Sequence, residues 1–311
     1  MKETLLVQNQ LEEHGYRGRV VSTQRLADLE AGIEGHNAKG LIDGELYEMY
    51  LAGFEFDPPD DLPDSKSVII VAVPNAPTRI TFAVEGQRLP VFVPPSYLHF
   101  QEIHQQVQDL LAEALGPLGY RVAKAIIPKK LLAVRSGLAR YGKNNICYVP
   151  GLGSFHVLVS LWSDLPCPQD SWREPQMLEK CQDCTACLRK CPTGAITSER
   201  FLLRAERCIT FHNEKPTDIP FAEWIDPSGH NCLVGCFHCQ RVCPENKDLR
   251  EWIQEGEESF SEEETTRLLG GVPLDRLPGP MVEKLQRLDL VGLLDVVPRN
   301  LEIFVSRTRG D

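Results

Sequence analysis

Nine of the eleven cysteines lie between Cys181 and Cys243. The first run, CQDCTACLRKCP, places Cys181, Cys184, Cys187 and Cys191 as C-x2-C-x2-C-x3-C-P. Two-residue spacers let the backbone curl until three thiolates face one cubane 4Fe–4S cluster, while the fourth, turned away by its proline, reaches a second cluster. The second run, Cys236, Cys239 and Cys243 followed by Pro244, is C-x2-C-x3-C-P and stands one cysteine short. The crossover rule assigns Cys181, Cys184, Cys187 and Cys243 to one cluster, and Cys191, Cys236 and Cys239 to the other. Cys208 or Cys232 supplies the missing thiolate. Zinc knuckles pair C-x2-C motifs without the C-P endings, and a disulfide framework belongs to short secreted chains. Two 4Fe–4S clusters are therefore expected. Cys147 and Cys167 have no partner spacing and read as free thiols.

The rest of the chain must hold this module. At 311 residues and 42% hydrophobic, it is able to build one large core or two modest ones. No apolar run approaches the ~20 residues of a membrane span, and the amphipathic start MKETLLVQNQLEEHGYRGR is unlike a secretory signal. A reducing, cytoplasmic setting is the expectation, with no membrane partner. The net charge of −11 argues against bulk nucleic-acid binding. The charge is uneven, however. No acidic residue falls between Glu113 and Asp164, where Arg121, Lys124, Lys129, Lys130, Arg135, Arg140 and Lys143 all occur. This stretch reads as a wall facing an anion. Glu245 to Glu264 is acid-rich and reads as a solvated surface.

Residues 1–60 look mainly helical. Val68 to Val73 is a continuous apolar run ended by Pro74, the pattern of a strand buried on both faces. Ile80–Val84 and Leu89–Val93 flank Glu85-Gly86-Gln87 as a hairpin. A helix over 97–115 places Ile103, Val107, Leu110, Leu111 and Leu115 on one stripe. A strand follows over 121–127, then a short helix over 129–138, then strands at 147–149 and 156–162. Residues 166–176 link this region to the cysteine module. After Pro244 a mainly helical tail is expected, with Ser261 and Glu264 forming a capping box. The overall expectation is α+β: an α/β domain over 1–165, the dicluster domain over 166–250 and a helical tail over 251–311.

Three blocks in this order resemble one family. They are Arg135-Ser136-Gly137-Leu138-Ala139-Arg140-Tyr141-Gly142-Lys143-Asn144 followed by Gly153-Ser154-Phe155; the first cysteine run with its PTGAI ending; and Arg207-Cys208-Ile209-Thr210 followed by Asn231 and the second run. Over roughly residues 65–250 the chain resembles the epoxyqueuosine reductases and, more distantly, the corrinoid-dependent reductive dehalogenases. The resemblance implies that Cys208 is the isolated ligand of the second cluster and Cys232 a spare thiol. It implies a base-off cobalamin in a nitroreductase-like α/β domain, beside a ferredoxin-like dicluster module fed by a reduced ferredoxin or flavodoxin. Arg135, Gly137, Tyr141, Gly142, Lys143, Asn144, Gly153 and Ser154 would then lie near the cofactor, and His104 near the substrate.

The chain also departs from the family. Where the family carries a proton-donating aspartate in a V-D-S-A-P stretch, this chain reads Val122-Ala123-Lys124-Ala125-Ile126. Alanine has no proton to give, and Lys124 stands as the candidate substitute. The longer members end in a helical extension that helps hold transfer RNA, for which the residues after 250 leave little room. The substrate is thus expected to be either a transfer RNA or a small molecule. The alternative is a dicluster electron carrier serving a partner corrinoid or flavin enzyme.

Overall fold

The computed structural model describes residues 2–309. The first elements are α1 (Lys2–Glu13), β1 (Arg17–Ser22), α2 (Leu26–Ala38), α3 (Gly44–Leu46), β2 (Ser67–Pro74), β3 (Thr78–Val84) and β4 (Gln87–Val93). Next come α4 (Phe100–Leu115), β5 (Val122–Lys124), α5 (Lys129–Arg135), β6 (Arg140–Tyr141), β7 (Cys147–Tyr148) and β8 (His156–Ser163). The remainder is α6 (Ala186–Lys190), α7 (Ile209–Asn213), α8 (His238–Arg241), β9 (Gln254–Phe260), α9 (Glu262–Leu269), α10 (Gly279–Arg287) and α11 (Val297–Arg309). These form two compact units interleaved along the chain. One comprises Met1–Pro74, Gln101–Thr185 and Ile196–Ala205, and the other Asn75–Phe100, Ala186–Ala195 and Glu206–Asp311.

The first unit is built on an antiparallel sheet of order β1-β2-β8-β5. β2 lies between β1 and β8 and is buried from Ser67 to Val73, which is why its sequence is apolar without alternation. α5 packs on β2 and β8. The predicted stripe of α4 buries Ile103, Val107, Leu111 and Leu115. The start of the chain is mainly helical as expected, with β1 as an unexpected strand within it. Its signal is six residues long, and it becomes a strand through pairing with β2, where Val20 faces Ile69. α1 packs against it because Gly18 has no side chain. A Cβ there would lie 2.3 Å from Leu11 Cδ1.

The second unit carries the sheet β4-β3-β9. β3 and β4 form the predicted hairpin. Glu85 and Gly86 both have positive φ (50° and 75°), the backbone of a two-residue turn whose twist matches the strands. β9 is likewise an unexpected strand, within a tail that is otherwise mainly helical and acid-rich as expected. It pairs parallel to β3 and leaves Glu255 and Glu257 exposed, while Phe260 stacks on Phe82 with ring centroids 5.0 Å apart. Gly256 permits the bulge in this pairing, because a Cβ there would come 2.8 Å from the Arg79 carbonyl oxygen. α9 opens with the expected capping box of Ser261 and Glu264. Met281, Leu285, Leu301 and Val305 complete the core. No helix among the described residues is long and apolar enough to cross a membrane.

His156 begins β8 inside the first unit. Burial pushes its imidazole from the ordinary 6.5 down to about 4, opposed by a hydrogen bond with the Gly153 backbone. The unfolded chain therefore takes up this proton before the folded one does, and stability present above about pH 6.5 is lost as pH falls towards 4. Urea titrations across pH 4–7 are expected to show this decline. His156→Gln is expected to flatten its slope while lowering stability at pH 7.

Candidate functional site

The second unit gathers most of the cysteines. Cys191 follows α6, its amide donating to the Cys187 carbonyl at 3.0 Å. Cys208 is the N-cap of α7, and Cys236 stands two residues ahead of α8, which carries Cys239. Burial pushes the Cys208 thiol up, and the neighbouring Cys191 sulfur adds to this. Hydrogen bonds from the Thr210 and Phe211 backbones oppose the shift. Burial likewise pushes the Cys236 thiol up, and Cys232, Cys208 and Cys191 all bear on it. Cys191, Cys208 and Cys236 thus sit within electrostatic reach of one another, with Cys232 alongside. Cys232 is wholly buried and has Cys239 as a charged neighbour. All eleven cysteines are free of disulfides. Desolvated sulfurs within reach of one another's charge resist ionisation, and bound cationic iron would supply the compensation. The donor set suits a cubane: thiol sulfur throughout, with backbone N–H groups pointing at the ligating atoms.

Several neutral or paired groups hold this region. Asn300 is buried and donates to the carbonyls of Asn213 and Leu233, at 2.8 and 2.9 Å. Asn213 in turn donates to the Gly235 carbonyl at 2.8 Å. The Asn231 side-chain oxygen accepts from the Phe237 amide at 3.1 Å, closing the loop that leads into Cys236. Arg207 donates to the Thr193 carbonyl at 2.9 Å and so ties the segment after Cys191 to the one before Cys208. The Tyr97 hydroxyl donates to Glu214. Tyr97 lies against Gly235, whose φ is +67°.

In the first unit, Cys181 is buried and Cys184 half-buried. Lys143 donates to the carbonyls of Gln182 and Cys184, at 3.3 and 3.1 Å, and so tethers the loop carrying both cysteines. Its companions in the block from Arg135 to Ser154 largely brace one another. Asn144 donates to the Tyr148 hydroxyl at 2.9 Å, and a Cβ on Gly142 would meet Asn144 and Tyr148 at 2.5 Å. Tyr141 is buried with its ring edge-on to Phe201, and Arg135 pairs with Glu174 over the Trp172 ring. Gly137 ends α5 at φ +76° against the Arg173 guanidinium. Ser154 and Gly153 are buried in the turn before β8. What this block offers a planar ligand is chiefly backbone. Of the remaining basic wall, Arg121 pairs with Asp164 and Arg140 with Glu179.

Two candidate groups named from the sequence do come together, joined by a third. His104 on α4 is buried, and its Nε2 lies 3.1 Å from Nζ of Lys129, the first residue of α5. Burial first, then Lys129 and Lys124, lowers the His104 pKa to about 4. Burial first, then Lys124, lowers that of Lys129 to about 8. Lys124 itself ends β5 and is exposed. Ala123 pairs across the sheet with Trp162. Sequence reasoning counted Lys129 only as one charge in a basic stretch. Its approach to His104 joins two elements across 25 positions and has no local signal.

Residues 180–246 match the family described as a 4Fe-4S double cluster binding domain. Fold and cysteines together define a two-cluster iron–sulfur protein on an α+β frame. The particular likeness is to the epoxyqueuosine reductases. The protein of that name from Staphylococcus aureus is 28% identical over 231 residues, covering 71% of this chain and 58% of that one. The solved epoxyqueuosine reductase from Streptococcus thermophilus matches with a TM-score of 0.67 at 19% identity, over 99% of this chain and 82% of that one. A crystal structure of epoxyqueuosine reductase with an epoxyqueuosine-modified tRNA stem loop matches with a TM-score of 0.65 at 20% identity, over 97% and 80%. The chain spans about half the length of the curated relatives it matches.

The loop before Cys236 tolerates no side chain at Gly235. A Cβ there would sit 2.7 Å from Tyr97 Cε2, and the backbone is left-handed. Gly235→Ala is expected to destabilise the protein by more than the ~1–2 kcal/mol of the backbone term alone. Denaturant melts together with iron content per chain check this, with both falling in the variant.

Proposed function

We propose that this chain is an iron–sulfur reductase of the epoxyqueuosine-reductase type. Cys181, Cys184, Cys187 and Cys243 would hold one cluster, and Cys191, Cys208, Cys236 and Cys239 the other. The two clusters, when bound, supply a path for single electrons from a reduced ferredoxin or flavodoxin. The observation that carries this reading is the grouping of Cys191, Cys208 and Cys236 in one half-buried region, three thiols that the sequence spreads over 46 positions. The chain's own contribution is to desolvate the sulfurs, to aim the Thr210, Phe211 and His238 backbone at them, and to hold the Cys181–Cys184 loop through Lys143. A corrinoid, when bound, would rest on the backbone of the 135–154 block and supply a strongly reducing metal centre. Of the two groups that the sequence offers for the substrate side, His104 is buried against Lys129 and Lys124 is exposed.

The likeness to a relative solved with an epoxyqueuosine-modified tRNA stem loop makes that RNA the first substrate to test. Alanine at position 123 favours a second reading, a dicluster carrier that passes electrons to a partner enzyme. Anaerobically reconstituted protein, with cobalamin added and reduced flavodoxin as donor, is expected to convert the modified stem loop. Retention of iron without corrinoid binding or turnover would favour the carrier. On the ligands, wild-type protein is expected to carry about eight irons. Cys208→Ala is expected to fall to about half that content and lose one electron paramagnetic resonance signal, while Cys232→Ala keeps both.

A further inference from the structure

Reductive removal of an epoxide oxygen takes two electrons and two protons. The carbon–oxygen bonds break, an alkene forms and the oxygen leaves as water. The electrons come from the reduced ferredoxin or flavodoxin, so the chain itself needs only to furnish protons. From the His104–Lys129 contact we infer that Lys129, rather than the exposed Lys124, is the proton donor, with His104 as its positioning residue. This rests on the reductase reading above.

Geometry gives the reason. A charged lysine is a donor only, with no lone pair to accept. The 3.1 Å contact therefore makes His104 Nε2 the acceptor and fixes the imidazole as neutral, with its proton on Nδ1. His104 is buried on α4 and cannot swing away, so it sets the direction of the Lys129 ammonium. Lys129 is half-buried, which leaves it a path for reprotonation from solvent. The groups that bear on the pair come from three elements: Lys124 from β5, Lys129 from α5 and the Leu158 backbone of β8, which faces His104. Burial first, and then the charge of Lys124, depresses the lysine, which supports the assignment. Its pKa of about 8 lies close to neutrality, where a general acid is both protonated and willing to release its proton. Lys124, exposed at the end of its strand, has no such acceptor contact to orient it among the hydrogen bonds described.

Three variants of the reconstituted full-length protein separate proton donation from mere charge. Lys129→Arg keeps the cation but removes a releasable proton, since guanidinium does not titrate in proteins. Both Lys129→Arg and Lys129→Met are expected to lose on the order of 100-fold in kcat on the modified stem loop, with iron content and absorption spectrum unchanged. His104→Leu removes the hydrogen bond to the charged form, and is expected to shift the alkaline limb of the kcat–pH profile to lower pH, with His104→Gln restoring it. A readout independent of turnover is the titration of Lys129 by carbon-13 reductive methylation and nuclear magnetic resonance, expected near pH 8 and assigned by its disappearance in Lys129→Arg. Active Lys129→Arg, or a titration in the ordinary range near 10.4, overturns the inference while leaving the reductase reading standing. Wild-type protein that binds both clusters and cobalamin yet converts no stem loop overturns both.

Discussion

Burying thiol sulfurs beside one another is the constraint on which the second unit turns. Burial pushes the thiols of Cys208, Cys232 and Cys236 up, and neighbouring sulfurs add to each shift: Cys191 at Cys208, Cys239 at Cys232, and Cys232, Cys208 and Cys191 at Cys236. A protein interior does not tolerate several thiolates in contact unless a cation is placed among them. The surroundings bring backbone amides to these sulfurs, with amide side chains bracing the loops around them. Asn213, Asn231 and Asn300 fix the loop geometry with neutral hydrogen bonds, and they add no charge that would compete with the iron.

The first unit shows the opposite electrostatic choice. A chain of net charge −11 concentrates seven cations between positions 121 and 143 and pairs three of the seven with carboxylates. Arg121, Arg135 and Arg140 find carboxylates, and Lys143 finds two carbonyls. Exposed pairs of this kind add little stability, but they leave the wall far less positive than its composition implies. What persists is a local feature, the ammonium of Lys129 against a buried neutral imidazole. Desolvation rather than charge count makes that spot chemically distinct.

Scaffolding in both units relies on a few places where a side chain cannot fit. Gly18 lets α1 reach β1, Gly256 lets β9 reach β3, and Gly235 lets Tyr97 pack beside the second cysteine run. The block from Arg135 to Asn144 illustrates the same economy. Gly142 is required by Asn144 and Tyr148 of its own loop, so its small size serves the loop's internal packing first.

Much was legible in one dimension. The cysteine spacings are local, and short spacers constrain the backbone whatever surrounds it, so the double-cluster domain was readable from residues 181–244. β2, the β3–β4 hairpin, the apolar stripe of α4 and the capping box of α9 were equally readable, because their signals lie within a few residues. Tertiary structure decided the rest. β1 and β9 are strands through pairing with partners about 50 and 175 positions away, counted as Val20 to Ile69 and Arg79 to Glu255, and neither carries enough local pattern to declare itself. The interleaving of the two units follows from those long-range pairings. So does the meeting of His104 with Lys129: periodicity places His104 on a helix and composition places Lys129 in a basic run, but only the packing of α4 beside α5 brings an imidazole and an ammonium into contact out of water, where both acquire their chemistry.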